Sequence, residues 1–397
     1  MPDAAPLVVF ADDWGRHPSS CQHLVAKLLP RRRVTWVNTI GTRPPRLNWT
    51  TVVRGFGKLR SWFVASGGPE PPVDGTNRGL TPPARHEPLV LNPKMWPSFR
   101  SRFGRGLNRR LLARALRQVT EGGPAPVVVT TIPVVADLAG RVRAARWVYY
   151  CVDDFSVWPG LDGRTMRDME RELVAKVDVA VAVSETLREH LAKLGRPAHL
   201  LTHGVDLGLW RRPVPGDLPA SLRGLDGVPS PLVVFWGVID RRMDLALVRR
   251  LGESMTEGTI LLVGPQDDPD PELVRLSRVR AYPPVPFDDL PALAARAAVL
   301  IAPYADLPVT RAMQPLKLKE YLATGKPVVV RKLPATEPWA DCADVVDSAE
   351  AFTSVVLARL AGGLPEGQRR ARERLETEGW AVKAEQFETW IDGPGAG

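Results

Sequence analysis

Apolar residues in the first half of the chain occur in short runs that are too continuous for strands with one solvent-exposed face. Stretches with helical spacing, such as residues 20–29, separate these runs. Apolar strands that alternate with helices are typical of a parallel sheet covered on both faces. The strands are predicted at residues 7–11, 34–37, 127–131, 147–152 and 177–183. The first half of the chain therefore predicts a Rossmann-like domain.

The second half repeats this alternation after a break. Residues 211–231 are rich in Pro, Gly, Asp and Leu without periodicity, which indicates a linker. Beyond it, strands are predicted at 232–237, 259–263 and 298–302, with a helix at 244–251. We therefore predict an α/β protein with an N-terminal domain at residues 1–208, a linker at 209–230 and a C-terminal domain at 231–376. Residues 377–397 are predicted to contain a last helix.

The most informative stretch is residues 313–330, MQPLKLKEYLATGKPVVV, which predicts a short helix, a stop at Gly325 and a buried strand. Lys317 and Glu320 are three residues apart, so they share one face near the start of the helix. A cation and a carboxylate at that place suit a ligand that carries both phosphate and a hydroxylated sugar. The alternative is an ordinary surface ion pair.

Polar residues also follow two strands of the first domain. Asp153 and Asp154 come directly after the strand at 147–152, and Gly15 and Arg16 lie in the loop after the first strand. Ligands of doubly wound sheets bind beyond the carboxyl ends of the strands, so all four are candidates for a site. The alternatives are a helix cap for the aspartates and an ordinary turn for Gly15.

Charge is distributed unevenly along the 397 residues. The chain has a net charge of +9, and residues 1–150 carry 23 Lys and Arg against 8 Asp and Glu. The three cysteines are isolated, which indicates neither a disulfide framework nor a structural zinc site. No apolar stretch approaches the roughly 20 residues that span a bilayer, so a cytoplasmic protein is expected.

The basic first domain could attract nucleic acid, anionic lipid or a phosphorylated acceptor. No nucleic-acid-binding motif accompanies the charge, so nucleic acid is not expected as a partner. Residues 43–110 interleave aromatic residues with Arg and Lys, which suits contact with an anionic membrane surface. The alternative is an insertion whose aromatic residues fill a small core of their own.

The stretch at 313–330 resembles the donor-site segment of retaining GT-B glycosyltransferases of group 1 (family 4). In that class the Glu in the position of Glu320 binds the ribose hydroxyls, whereas the usual first Glu is replaced here by Ala312. The variant also resembles bacterial polysaccharide-biosynthesis enzymes of the xanthan glucuronosyltransferase type, in which the Lys in the position of Lys317 approaches the diphosphate. VAVSETL and LLTHGVDLGLW are similar to further strings of the class, with His203 in place of the usual Asn.

The resemblance implies two Rossmann-like domains that face each other across a cleft, with the C-terminal helix returning to the first domain. It implies a nucleoside-diphosphate sugar as donor, a glycan or lipid-linked acceptor, and no required metal or other cofactor. It also implies a cytoplasmic location at the inner face of the cell membrane. Retention is the expected stereochemistry, and inversion with Asp153 or Asp154 as base is the alternative.

The resemblance also places the donor-binding residues. The first loop, with Gly15 and Arg16, and the loop at Gly237 are expected to approach the donor phosphates. The usual Arg and Lys after that glycine are absent here, and Arg241 is the candidate to replace them, as is its neighbour Arg242. The other residues predicted to bind the donor lie near the start of the helix in residues 313–330. They are Gln314, Lys317 and Glu320.

Two other functions remain open from the sequence. A nucleotide-sugar epimerase of GT-B fold would use the same donor without an acceptor. The second alternative is a catalytically silent protein that docks at membranes through its basic half. A dinucleotide-dependent dehydrogenase is disfavoured, because neither predicted domain has GxGxxG after its first strand.

Overall fold

The first domain is built on a parallel sheet. The computed structural model describes residues 4–16, 18–39, 87–121, 123–213 and 216–393. Its first strands are β1 (Leu7–Ala11), β2 (Val34–Asn38), β3 (Leu89–Leu91), β4 (Val127–Thr130), β5 (Arg146–Cys151), β6 (Val179–Ala182) and β7 (His199–Leu200). Within these described ranges they form one sheet in the order β3-β2-β1-β4-β5-β6-β7, with every pairing parallel.

Helices cover both faces of this sheet. They are α1 (Ser20–Leu28), α2 (Arg102–Thr120), α3 (Gly163–Val174) and α4 (Glu185–Lys193). The short α5 (Leu207–Trp210) follows them in the chain and packs on the core of the second domain. Serine or aspartate side chains accept first-turn N–H groups at the starts of these helices, as Ser19 does from Gln22 and Ser184 from Leu187. The strands β1, β2, β4, β5 and β6 are buried along nearly their whole length, which explains their continuous apolar sequences, whereas the edge strands β3 and β7 are partly exposed.

The second domain repeats the arrangement around its own core. Its strands are β8 (Leu232–Trp236), β9 (Ile239–Asp240), β10 (Thr259–Val263), β11 (Gln266–Asp267), β12 (Val279–Tyr282), β13 (Ala297–Ala302), β14 (Val328–Arg331) and β15 (Asp344–Val346). The main sheet has the parallel order β12-β10-β8-β13-β14-β15, and β9 pairs with β11. The helices are α6 (Leu245–Ser254), α7 (Leu290–Arg296), α8 (Pro308–Ala312), α9 (Leu316–Ala323), α10 (Ala349–Gly362) and α11 (Glu366–Ala371).

The segment predicted as an unstructured linker contains a 3₁₀ helix at Ala220–Leu225. Its Leu222 and Leu225 are fully buried in the core of the second domain. Leucines without helical or strand periodicity gave no local signal of this helix, since their burial depends on the domain against which they pack.

The last helix, α12 (Trp380–Asp392), packs on the first domain although it follows the second in the chain. Its Ala384, Phe387 and Ile391 belong to the core of the first domain. Arg32 on the first domain is buried and pairs with Glu388 at 2.8 Å and with Asp392. The chain therefore crosses between the domains twice, at residues 201–206 and 377–380.

Most of the basic and aromatic segment at residues 43–110 lies outside the described residues. In the part that is described, Phe99 is buried, whereas Trp96 and Phe103 are 43% and 76% exposed. Among the helices of the described chain, none is both long enough and apolar enough to cross a bilayer.

Candidate active site

The carboxyl ends of both sheets face one another. Two contacts join the domains there, one beyond β5 and one beyond β6. After β5, Trp158 lies under Arg242 of the segment after β9, with the guanidinium carbon 5.0 Å from the ring centroid. After β6, the Ser184 hydroxyl donates to the Ala312 carbonyl at 2.7 Å. Strand ends of a parallel α/β sheet are the usual place for ligands, so this interface is the candidate active site.

Asp153 and Asp154 differ in their surroundings although they are adjacent. Asp154 accepts the Ser156 N–H at 2.9 Å and so shapes its own turn. Asp153 faces Arg242 of the second domain, and burial raises its pKa to about 7 although Arg242 opposes the shift. A carboxylate with such a pKa can exchange a proton near neutral pH.

The buried carboxylate of Glu170 lies next to the end of β5, close to the turn that carries Asp153. Glu170 of α3 accepts the Tyr149 hydroxyl at 2.8 Å and contacts His190 Nε2 at 2.7 Å. The Cys151 thiol lies 3.9 Å from Glu170 and 3.8 Å from the Asp153 carbonyl oxygen. The sequence analysis did not identify Glu170, because a lone Glu within a helical pattern carries no signal of burial.

Arg241 and Arg242 point to different places. Arg241 is exposed and lies 3.8 and 3.9 Å from the carboxylates of Asp268 and Asp270. Arg242 is buried, is held by both carboxylate oxygens of Asp240 at 2.9 to 3.0 Å, and faces Asp153. Arg241 lines a small pocket together with Trp158 and Gly160 of the first domain, so the structure places both arginines at the interface between the domains.

Lys317 lies beside the loop after β8. Its ammonium donates to the Tyr304 hydroxyl and sits 4.7 Å from the Phe235 ring centroid. A Cβ atom on Gly237 would come within 2.5 Å of the Lys317 ammonium, and Gly237 has φ of +138°, so a side chain there would displace the lysine. In the described parts of the chain, no carboxylate forms a salt bridge with Lys317.

Glu320 lies one helical turn further along the same face of α9. It is 9% exposed and accepts a hydrogen bond from the Trp236 indole at 3.4 Å. Burial raises its pKa to about 7, against the effects of Trp236 and of the Lys317 charge. The sequence predicted the shared face of Lys317 and Glu320, and the structure places both near Gly237 at the carboxyl end of β8.

The loop after β1 reaches the same edge of the first sheet. Gly15 has φ of +75° and donates its N–H to the Gln22 side chain at 3.0 Å. Arg16 is exposed and pairs with Asp13 at 3.1 Å. Asp12 at the strand end accepts from Ser19 and Gln22, and its pKa is raised to about 6 by burial. The sequence analysis did not select Asp12.

Gln314 lies apart from the other predicted donor-binding side chains. It lines a cavity of about 350 Å³ next to the two crossing segments, together with Thr202, Trp339 and Glu378, whereas Lys317 and Glu320 do not line it. We call this space the crossover cavity. Ser184, which donates to the Ala312 carbonyl, also lines the crossover cavity.

Lys319 lies two residues after Lys317, on the opposite side of α9, and holds the crossing segments together. Its ammonium donates to the His203 carbonyl and to Glu378, and to the Thr202 hydroxyl at 3.2 Å. Burial lowers the pKa of His203 to about 3, so this histidine is neutral at physiological pH. His203 is 5% exposed, so it is enclosed at a crossing segment.

The described residues contain no group of three or more His, Cys, Asp and Glu side chains placed to hold a metal ion. The chemistry offered by the cleft comes from cations, carboxylates and backbone. Lys317 and Arg242 can contact anionic oxygens, and Glu320 and Asp153 can accept protons or hydroxyl groups.

No protein-family model matches the chain. Over 181 residues it is 28% identical to TuaH of Bacillus subtilis (strain 168), a glycosyltransferase whose assignment to teichuronic acid biosynthesis is itself inferred. This match covers 44% of the chain and 45% of TuaH, so it spans less than half the length of the relative.

Solved structures align over nearly the whole chain. Sucrose-phosphate synthase from Thermosynechococcus elongatus covers 97% of each chain with a TM-score of 0.66 and 16% identity. Anabaena HepE, solved in complex with UDP-glucose, covers 97% of this chain and 98% of its own, with a TM-score of 0.64 and 13% identity. Together with the two facing parallel sheets and the returning helix α12, these likenesses confirm the predicted fold class: the chain has the GT-B fold.

Proposed function

We propose that the protein is a glycosyltransferase that moves a sugar from a nucleoside-diphosphate sugar to a glycan or lipid-linked acceptor in polysaccharide or glycolipid synthesis. The observation that carries the proposal is the placement of Lys317 and Glu320 on the same face of α9, at the cleft and beside Gly237. The similarity to TuaH and the UDP-glucose bound to the structural neighbour HepE support it.

In this proposal Glu320 accepts the ribose hydroxyls of the donor. It is enclosed by protein, and its one described hydrogen bond is the long contact from Trp236, so its oxygens can take further donors. A bound ribose would supply hydroxyl groups that stabilise the ionised carboxylate and lower its raised pKa.

Lys317 supplies positive charge to the donor diphosphate. No side chain caps the first turn of α9, which begins after Pro315, so the N–H groups at the helix start add to this positive potential. Gly237 lets the diphosphate approach the backbone after β8. These groups stabilise the leaving nucleoside diphosphate, and we propose that the reaction needs no bound metal.

The proposed transfer breaks the bond between the anomeric carbon and the diphosphate oxygen and forms a bond from that carbon to an acceptor oxygen. With retention, the acceptor attacks the face from which the diphosphate leaves, and its proton passes to the departing phosphate oxygen. With inversion, Asp153 takes this proton from across the cleft. The anomeric configuration of the product, read by NMR, decides between the two courses.

The test is release of nucleoside diphosphate from a panel of uridine, guanosine and adenosine diphosphate sugars. We expect slow hydrolysis of one donor by the wild-type protein and at least tenfold weaker binding of that donor by Glu320→Ala. Exposed Glu337→Ala is the matched control and should bind like wild type. If calorimetry detects no sugar nucleotide binding to the wild-type protein, the proposal fails.

A second assay separates the roles of the two aspartates. Asp153→Asn should lower kcat far more than donor affinity if Asp153 is the base, whereas a retaining reaction that uses the phosphate would tolerate it. Asp154→Asn is the control, because that carboxylate is engaged in its own turn.

We further propose that the first domain docks at an anionic membrane surface where a lipid-linked acceptor is available. Exposed Phe103 and the Arg residues of α2 support this. Flotation with anionic liposomes should decrease with added salt and should be weaker for Phe103→Ser. Equal flotation with neutral liposomes at every salt concentration would contradict it.

A further inference from the structure

The crossover cavity is shared by both domains and by the segments that connect them. Thr202 belongs to the first crossing segment, Glu378 to the second, Ser184 to the first domain, and Gln314 and Trp339 to the second domain. Its volume of about 350 Å³ lies at the lower end of the range of small-molecule sites. A ligand inside it would touch both domains at once.

The charged side chains that line the crossover cavity already have partners. Glu378 pairs with Lys383 at 2.8 Å and with Lys319, and Arg374 pairs with Asp341 at 2.8 Å. The remaining one, Glu185, is exposed and lies 2.7 Å from Arg188. Each charge of the wall is already balanced by a neighbour, which favours an uncharged ligand over a phosphate or another ion.

The wall also offers no open aromatic face. The Arg374 guanidinium lies 4.0 Å from the Trp339 ring centroid, and the Lys319 ammonium lies 5.3 Å from the same centroid. A ligand held by stacking on Trp339 is therefore disfavoured, and recognition must come from hydrogen bonds.

Gln314 provides an unused set of hydrogen-bonding groups. It is 7% exposed and lines the crossover cavity, and its side-chain amide forms no hydrogen bond with any residue that the structure describes. Among the described residues, the fully enclosed side-chain atoms without partners do not include those of Gln314, so its amide is open to the cavity. An amide carries two donors and one acceptor that pairs with two partners. Buried polar groups without protein partners are satisfied by water or by a ligand.

We propose that the crossover cavity binds a small, uncharged, hydroxylated molecule of monosaccharide size through the amide of Gln314. The hydroxyl groups of such a molecule can accept from the amide N–H groups and donate to the amide oxygen. The molecule also carries no charge, which suits a wall whose charges are already paired. Because the ligand contacts both domains, its binding stabilises the closed arrangement in which Ser184 contacts Ala312. This site is separate from the proposed donor site and does not depend on it.

The test is a titration of the wild-type protein with D-glucose, N-acetyl-D-glucosamine and glycerol, followed by saturation-transfer NMR. We expect saturable binding of at least one sugar in the wild-type protein. Gln314→Leu, which keeps the volume but removes the amide, should weaken it at least tenfold. Ala335→Phe, which fills the cavity from a second position of its wall, should abolish it.

Exposed Lys332→Met is the matched control and should bind as wild type does. Thermal unfolding of each variant shows whether it is folded. Absence of saturable binding of all three probes to the wild-type protein would overturn the proposal, since water would then fill the cavity. Binding that survives in folded Ala335→Phe but is lost in Asp153→Asn would place the sugar in the active-site cleft and would also overturn it.

The same variants distinguish this proposal from the proposed function. Sugar nucleotide binding, measured by calorimetry, should persist in Ala335→Phe. Failure of every sugar nucleotide to bind would end the glycosyltransferase proposal while leaving the sugar titration as it stands.

Discussion

Lys317 and Lys319 are two residues apart on one helix, yet the fold uses them in different ways. Lys319 is almost completely buried and is fully engaged with the two crossing segments through Thr202, His203 and Glu378. Lys317 contacts the Tyr304 hydroxyl and two aromatic rings, and among the described residues it has no salt bridge. A lysine whose charge is used by the protein is structural, and one whose charge is left over is available to a ligand.

The carboxylates beside the two lysines show the same contrast. Burial raises the pKa of Glu320 to about 7. Glu378 also loses hydration, which by itself would raise its pKa, but Lys319 and Lys383 together lower it below the usual value. Glu378 at the crossing segments is therefore paired with two lysines, whereas Glu320 at the cleft forms no salt bridge among the described residues.

Removing the buried lysine should have the largest effect. Lys319→Met leaves Glu378 with only Lys383 and leaves the His203 carbonyl without its donor. Breaking a buried ion pair typically costs about 3 to 5 kcal/mol, and the remaining Lys383 places this case at about 3 kcal/mol. Urea denaturation measures the loss, and a variant as stable as wild type would contradict the structural role of Lys319.

Removing the lysine at the cleft should affect binding instead. Lys317→Met keeps an apolar stem against Phe235, so the fold should be retained. Loss of a charge-assisted hydrogen bond to phosphate costs about 1.5 to 3 kcal/mol, which is roughly a 10- to 100-fold rise in the Kd of the sugar nucleotide. Calorimetry measures this, with Lys332→Met as control, and an unchanged Kd would remove Lys317 from the donor site.

The contrast between the carboxylates predicts a pH dependence of stability. Because the pKa of Glu320 is raised from 4.5 in the unfolded chain to about 7, the folded protein binds more protons between these values. Its contribution to the free energy of unfolding is therefore present below pH 4.5 and is lost as pH rises through 7, by on the order of 3 kcal/mol. Glu320→Gln should show a smaller loss between pH 5 and 8, measured by denaturation without nucleotide, and an identical loss would contradict the assignment.

The smallest effect is expected at the neighbouring arginines. Arg241 is exposed and makes only long contacts with Asp268 and Asp270, so Arg241→Met should change stability by less than about 1 kcal/mol and donor affinity by less than about twofold. Arg242→Met should weaken donor binding more, because Arg242 is buried beside Asp153 whereas Arg241 is exposed to solvent. A larger loss of affinity in Arg241→Met than in Arg242→Met would reverse this assignment.

The sequence predicted much of the candidate site but not its geometry. The shared face of Lys317 and Glu320 follows from helical spacing, and the position of Asp153 follows from the end of a buried strand. The different surroundings of Asp153 and Asp154, and of Arg241 and Arg242, could not be predicted from the sequence. Adjacent residues point in different directions, and the direction that meets a ligand depends on where the other domain lies.

By itself the sequence determined the two α/β units, the strand ends that carry polar residues and the helix at residues 313–330, because each depends on apolar periodicity and local turn chemistry. Only the tertiary structure decided the use of each charge. Lys319, Glu378 and His203 come together from segments more than 50 residues apart, and Gln314 faces a cavity that forms only where both domains and both crossing segments meet. Burial and pairing of a charge are properties of that assembled interface, so no local pattern could have shown that Lys317 is available to a ligand and Lys319 is not.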